Sequence, residues 1–163
     1  MSRRALTLRF VSGFPQAALA VAMTLASAAC FDLGPKSQVD ELEEAQELWR
    51  SQRPLRYVYT IQRQCFCTED ARGPVRVTVD GEIVVSQFYG DGRTVDAAAA
   101  GWFPSVDGLF AVLRDAFDEG AYEIRATYDP QLGVPVDFWI DYSQNTIDEE
   151  LGFTVTEAVQ PIS

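Results

Sequence analysis

The strongest fold signal in this chain is the stretch Val75-Arg-Val-Thr-Val-Asp80-Gly-Glu-Ile-Val-Val-Ser-Gln-Phe-Tyr89. Its first half alternates valine with polar residues, the period of two that places one face of a β-strand in a core and the other in solvent. Asp80-Gly81 comes next, a dipeptide that readily adopts the positive φ angles of a tight turn. The stretch therefore predicts a β-hairpin in which Glu82 to Tyr89 returns as the second strand.

A helix and a strand are predicted upstream of the hairpin. Ser37-Gln-Val-Asp40 has the spacing of a capping box, and apolar residues recur at helical intervals from Val39 to Trp49 until Pro54 ends the pattern. From Leu55 the period changes to two, which predicts a half-buried strand that ends near Cys65. One face of this strand carries Tyr57, Tyr59 and Ile61, and the opposite face carries Arg56, Thr60 and Gln62.

Downstream of the hairpin, the stretch from Gly90 to Gly101 has no periodicity and is interpreted as a mobile loop. Ser105 then caps a second amphipathic helix, which Gly120 closes. Three further strands are predicted, and their apolar residues alternate with polar ones. They begin at Tyr122, Val136 and Leu151.

The order of elements is therefore helix, three strands, helix, three strands. The length of 163 residues, with 47% hydrophobic and 12% aromatic residues, is typical of one globular domain. Strands joined by hairpins, with helices to one side, predict an α+β fold with an antiparallel sheet of about six strands and two helices.

The first 29 residues predict a signal peptide. Arginines precede a short apolar stretch that is interrupted by Gly13 and Pro15, and Ala28-Ala29-Cys30 resembles a bacterial lipobox. The apolar stretch is too short for the roughly 20 residues that a membrane-spanning helix needs. We expect cleavage before Cys30, attachment of diacylglycerol and a fatty acyl chain such as palmitate to Cys30, a tether over 30–36 and a single domain over 37–163. The alternative is cleavage nearby that leaves a secreted soluble domain.

The charge of the expected mature chain restricts its partners. After removal of residues 1–29, ten basic residues remain against 24 acidic ones, which gives a net charge of −14. Such a surface repels nucleic acid and anionic lipid. We expect an envelope location on the outer side of a membrane, contact with that membrane through the lipid anchor only, and a partner that is an envelope protein or a cell-wall component.

Cys65-Phe66-Cys67 is the most conspicuous local motif. In an oxidising compartment its two cysteines are expected to form a disulfide, which requires the chain to bend because Cα atoms two apart in an extended strand lie about 6.5 Å or more apart. Two unpaired thiols, or weak binding of a soft ion such as Cu(I), are the alternatives. Because the chain contains no histidine, neither a structural zinc site nor a triad with a histidine base is expected.

Carboxylates are the remaining candidates for acid and base chemistry. They are Asp129, Asp137, Asp141, Asp148, Glu149 and Glu150. A pair of them could hydrolyse glycosides, but the sequence sets no separation between them and contains no phosphate-binding loop. We therefore predict no catalytic residue, no cofactor and no resident metal, and keep a carboxylate-dependent hydrolase as an alternative.

Trp139 departs from the pattern around it. If the residues on either side of it face the core, Trp139 lies on the opposite face of its strand together with Asp137 and Asp141. Exposed tryptophans among polar groups are typical of binding surfaces. We predict these three residues as a partner contact, with cover by the second helix or by the Gly90 to Gly101 loop as the alternative.

The chain resembles a family of bacterial secreted proteins and lipoproteins, domain-of-unknown-function family 6174. The resemblance is carried by Trp49, Tyr57 to Cys67, Pro74 to Val77, Val106 to Phe110, Tyr128 to Pro135, Ile140 to Tyr142 and Asp148-Glu149. It implies an exported α+β domain and no catalytic or ligand residue. The sequence as a whole predicts a non-catalytic, lipid-anchored envelope domain that binds a partner through its sheet face or its Gly90 to Gly101 loop, with a purely structural envelope protein as a further alternative.

Overall fold

The computed structural model describes residues 37–146 and 149–163. Its helices are α1 (Gln38–Gln52), α2 (Glu69–Arg72) and α3 (Val106–Glu119), and a 3₁₀ turn spans Ala100–Trp102. Its strands are β1 (Arg56–Cys65), β2 (Val75–Asp80), β3 (Ile83–Tyr89), β4 (Glu123–Tyr128), β5 (Pro135–Asp141) and β6 (Leu151–Pro161).

The six strands form one antiparallel sheet in the order β3-β2-β1-β6-β5-β4. The first three strands and the last three each form a meander, and the two meanders join where β1 pairs with β6. The predicted α+β class, the antiparallel sheet and the order of the two long helices are confirmed. The predicted hairpin is also confirmed, since β2 pairs with β3 across a turn in which Gly81 has a φ of 64°.

Both long helices begin and end where the sequence predicts. The Ser37 hydroxyl accepts a hydrogen bond from the Asp40 backbone N–H, and the Asp40 side chain accepts one from the Ser37 N–H, which completes a capping box. Ser105 caps α3 by accepting from the Gly108 N–H, and Gly120 ends it with a φ of 70°.

The core lies on one face of the sheet, beneath α1 and α3. Alternate residues of the strands point into it, which confirms the inward face predicted for β1. Trp49 is fully buried and packs edge-on against Tyr57, with ring centroids 5.3 Å apart. The largest fully buried side chains of the core include Trp49, Tyr57, Tyr59, Phe103, Phe110, Phe138, Ile61, Leu109 and Leu113.

Two short elements were not predicted from the sequence. The helix α2 and the 3₁₀ turn contain four and three residues, too few to establish a periodicity. The loop over 90–101 also packs more closely than expected: Val95 and Ala99 are buried, and Nε2 of the buried Gln87 donates hydrogen bonds to the carbonyl oxygens of Ala100 and Phe103.

The turn between β4 and β5 packs against α1. Asp129 organises it, because one carboxylate oxygen accepts hydrogen bonds from the backbone N–H groups of Gln131 and Leu132 at 2.9 and 2.7 Å. Gly133 has a φ of 77° and lies so close to the helix that a Cβ built on it would overlap the carbonyl oxygen of Ala45. Glycine at this position therefore permits the contact between turn and helix.

Burial of tyrosine hydroxyls makes the stability of the domain sensitive to alkaline pH. Burial raises the pKa of Tyr57 to about 12 and that of Tyr128 to about 12, from 10.0. Between pH 10 and pH 12 the folded state keeps protons that the unfolded state loses, so the free energy of unfolding falls as pH rises through this window. We expect the urea midpoint to decline above pH 10 and to decline less steeply in Tyr128→Phe; a midpoint constant from pH 8 to 11 contradicts this.

Candidate functional site

The face of the sheet away from α1 and α3 is referred to below as the open face. Strand register places four side chains from four strands in one row across it. Phe88 of β3 pairs with Arg76 of β2, Arg76 pairs with Thr60 of β1, and Thr60 pairs with Glu157 of β6. The row therefore brings together residues that are far apart in the chain.

Two β-bulges turn members of this row towards the open face. Val79 of β2 pairs with Val84 of β3, but the preceding residue Thr78 pairs with Ser86, so Val85 is an extra residue in β3. Because of it, Phe88 points outward and its neighbour Gln87 points into the core, the reverse of strict alternation from Ile83. Bulges that redirect side chains are frequent next to functional sites.

A second irregularity acts in the same way on β6. Thr154 pairs with Gln62, Val155 with Ile61 and Glu157 with Thr60, so Thr156 is the extra residue. Strict alternation from Thr154 would direct Glu157 towards the core. The bulge instead places Glu157 beside Thr60 on the open face, where the Thr60 hydroxyl donates a hydrogen bond to its carboxylate.

This row lines a groove of about 640 Å³, termed here the open-face groove. Its floor and sides come from the sheet and its end comes from the turn after β3. The residues that line it are Thr60, Gln62, Pro74, Arg76, Phe88, Tyr89, Gly90, Gly92, Thr156 and Glu157. The sheet face and the start of the Gly90 to Gly101 loop, which the sequence predicted as alternative binding surfaces, therefore meet in one depression.

The groove has a charge of each sign. Arg76 is exposed and forms no ion pair with any residue that the structure describes. Glu157 lies two strands away, about 10 Å in a sheet with strands roughly 4.8 Å apart. Phe88, which is 40% exposed, adds an apolar surface beside Arg76.

The turn at the end of the groove is held by Arg93. Its guanidinium lies 4.8 Å from the centre of the Tyr89 ring and forms ion pairs with Asp91 at 2.7 Å and Asp70 at 3.1 Å. Asp70 belongs to α2, so Arg93 links the turn after β3 to the connection between β1 and β2. Burial, together with the nearby charge of Asp70, raises the pKa of Tyr89.

Trp139 lies on the open face, as predicted, but outside the groove. Its half-buried ring stacks against the Arg125 guanidinium, 4.6 Å from the ring centroid. It also lies against Gly152 of β6, where a Cβ would stand 3.3 Å from its Cδ1 atom. The ring thus fills the space that Gly152 leaves open between the strands, a packing role that the sequence did not indicate.

The two aspartates predicted beside Trp139 form local hydrogen bonds. Asp137 accepts one from the Thr154 hydroxyl at 2.7 Å, and that hydroxyl accepts from the Gln64 side chain at 2.6 Å. Asp141 accepts from the Ser143 backbone N–H at 2.9 Å and so starts the turn after β5. The strand places Asp137, Trp139 and Asp141 on one side, and none of the three lines the open-face groove.

Among the other carboxylates of the predicted acidic group, Asp129 also lies apart from Asp141. Asp129 organises the turn between β4 and β5, at the opposite end of β5 from Asp141. Asp148 lies outside the described residues. Within 37–146 and 149–163, no three metal-binding side chains come together.

Cys65 and Cys67 are joined by a disulfide at the end of β1. Their Cα atoms are 5.3 Å apart, shorter than an extended strand allows, so the chain bends at this point, as a disulfide between residues two apart requires. Phe66 projects from the bend and is 82% exposed.

The predicted signal peptide, Cys30 and the tether over 30–36 lie outside the described residues. In the described part of the chain no helix has the length and apolar character needed to span a membrane.

The residues of the groove were not predicted from the sequence. Arg76, Phe88 and Glu157 each look like an ordinary polar or apolar position of a strand when read alone. The available signal was the disruption of alternation in Val84-Val85-Ser86 and Val155-Thr156-Glu157, which indicates a bulge only once the pairing partner is known.

Comparison with known proteins places the chain by family. The family model described as a family of unknown function, DUF6174, matches residues 41–160, from the first helix into the last strand. No curated protein and no solved structure matches the chain. Because the matched region covers well over half of the sequence, the chain belongs to the family of unknown function DUF6174.

Proposed function

We propose that this protein is an exported, lipid-anchored envelope domain that binds an extended segment of a protein or cell-wall partner in the open-face groove and catalyses no reaction. The observation that carries the proposal is the groove itself. Two bulges turn Phe88 and Glu157 into one row with Arg76 on a face that α1 and α3 leave uncovered.

The chemistry of the groove suits a peptide-like segment. Arg76, which forms no ion pair with the described residues, attracts a carboxylate and can bind it in bidentate fashion. Phe88 offers an aromatic surface next to it, and aromatic and arginine side chains are the usual anchors of binding surfaces. Glu157, beyond Thr60, supplies an acceptor for N–H groups further along the same segment.

The distribution of charge favours approach from the sheet side. The two long helices carry nine acidic and two basic residues, whereas the six strands carry five acidic and four basic residues. A partner with carboxylates meets repulsion over the helices and little over the sheet. The same acidic helices oppose binding of nucleic acid.

Site-specific photocrosslinking in cells tests the proposal. A benzoylphenylalanine replaces Phe88 in the groove or, as a control, Leu55, which is 74% exposed and lies before β1. We expect one discrete adduct from position 88 and none from position 55. Arg76→Glu should reduce the adduct at least about tenfold, equivalent to about 1.4 kcal/mol.

A matched charge reversal controls for general effects. Arg125→Glu changes the same face outside the groove and should leave the adduct intact. Equal adducts at positions 88 and 55, or an adduct insensitive to Arg76→Glu, contradict the proposed site. Intact mass of the membrane-extracted protein tests the anchor, since the proposal requires a chain that begins at acylated Cys30.

A further inference from the structure

One end of the sheet lies close to the point where the chain enters the domain. Gln38, in the first turn of α1, lines the same surface depression as Glu123 at the start of β4. Glu123 pairs with Asp141 of β5, the residue before Asp141 pairs with Leu151 of β6, and Leu151 pairs with Cys65 of β1. This end, called here the tether end, therefore runs from Glu123 of β4, which lies near the start of α1, to the Cys65 disulfide of β1, about 14 Å across three strand spacings.

Exposed apolar side chains are found at this end. Phe66 has the greatest exposure, 82%, among the large hydrophobic residues that the structure describes. Tyr122, just before β4, is 55% exposed. Val39, in the first turn of α1, is 41% exposed, although its place in the helical pattern predicted burial.

The disulfide fixes how Phe66 is presented. Because Cys65 and Cys67 are bonded on either side of it, the backbone at Phe66 has little freedom to fold the ring back onto the domain. A side chain that is held in place before binding loses less conformational entropy when it is buried by a partner. Phe66 is therefore suited to act as an anchoring group.

The length of the tether limits how far the start of the domain can lie from the membrane. Six residues separate Cys30 from Ser37, so even a fully extended tether spans no more than about 25 Å. If Cys30 carries the acyl anchor of the proposed function, Ser37 remains within that distance of the lipid surface, and the rest of the tether end lies beside it. Confinement of this kind raises the effective concentration of a weak contact, so even one or two apolar side chains can insert.

We propose that Phe66, supported by Tyr122 and Val39, inserts into the interface of the membrane that holds the anchor and orients the domain with its open face accessible. Aromatic side chains are favoured at the boundary between headgroups and hydrocarbon. Acidic side chains nearby, including Glu69 and Asp70, direct the contact towards zwitterionic rather than anionic headgroups. This inference rests on the proposed lipid anchor and adds a second membrane contact to it.

Quenching by brominated phosphatidylcholine tests the contact. Phe66→Trp and Leu55→Trp each add an indole at an exposed position to the lipidated protein, and Leu55 lies at the opposite end of β1, about 30 Å away. Fluorescence added by Phe66→Trp, relative to the unsubstituted protein, should fall roughly twofold in brominated vesicles, as expected for insertion at the interface. Fluorescence added by Leu55→Trp should not change.

Flotation of the same vesicles separates the two proposals. If the protein floats but the indole at position 66 is not quenched, or is quenched no more than that at position 55, the membrane contact of Phe66 is wrong and the anchor stands. If the extracted protein neither floats nor carries acyl mass on Cys30, both the anchor and the inference built on it are wrong.

Discussion

Gly133→Ala should destabilise the domain by about 2–5 kcal/mol, because a positive φ costs about 1–2 kcal/mol for a residue with a Cβ and overpacking costs a further 1–3 kcal/mol. The added methyl group would overlap the Ala45 carbonyl oxygen and lie 3.1 Å from the Trp49 nitrogen. Both are backbone atoms of α1 that no rotamer change can move aside. The free energy of unfolding, measured by urea denaturation, reports the loss.

Gly120→Ala provides the matched control. Gly120 has nearly the same φ, 70° against 77°, but a Cβ there meets nothing within 4 Å. Its cost should therefore be limited to the backbone strain of about 1–2 kcal/mol. If the two variants lost equal free energies of unfolding, the close packing of the turn against α1 would contribute nothing to the effect of Gly133→Ala.

Trp49→Ala should cost about 3–5 kcal/mol, the range for removing a large aromatic side chain from a packed core. Trp49 is fully buried, packs against Tyr57, and donates its indole N–H to Asp107 at 3.2 Å. Asp107 also accepts from Arg53 at 3.0 Å, so the ring connects α1 to the first turn of α3. The substitution leaves a cavity at the junction of both helices and the sheet.

Trp102→Ala is the control, because it removes an indole that is partly exposed rather than buried in the core. Trp102 is 39% exposed and contacts the Arg63 guanidinium at 5.7 Å. Its loss should cost about 1 kcal/mol or less, as is usual at the surface. Similar unfolding midpoints for the two variants would contradict the central role given to Trp49.

Local patterns in the sequence were sufficient for most elements of the fold. Ser37 and Ser105 begin helices because their hydroxyls satisfy backbone N–H groups of the first turn, an interaction that lies within four residues. The hairpin at Gly81 depends on one residue with positive φ between two alternating strands. In contrast, the burial of Val95 depends on distant partners that composition does not reveal.

The groove depends on strand order and register, which local sequence patterns do not determine. Thr60 is flanked by Arg76 and Glu157 only because β1 lies between β2 and β6, and Glu157 is 97 residues away from Thr60 in the sequence. Bulges then reverse the faces that alternation assigns to Phe88 and Glu157. Trp139 could be placed on the open face from alternation alone, but its stacking with Arg125 required the pairing of β4 with β5.

The central pairing of β1 with β6 also determines when the domain can fold. It joins Val58 to Gln160, 102 residues apart in the sequence, whereas each of the other four strand pairings joins strands that are consecutive in the sequence. Contacts of such long sequence separation slow folding, since a large loop must close before they form. The sheet can be completed only after β6 has been synthesised, so the two meanders are joined late, after the first three strands are already able to pair with one another.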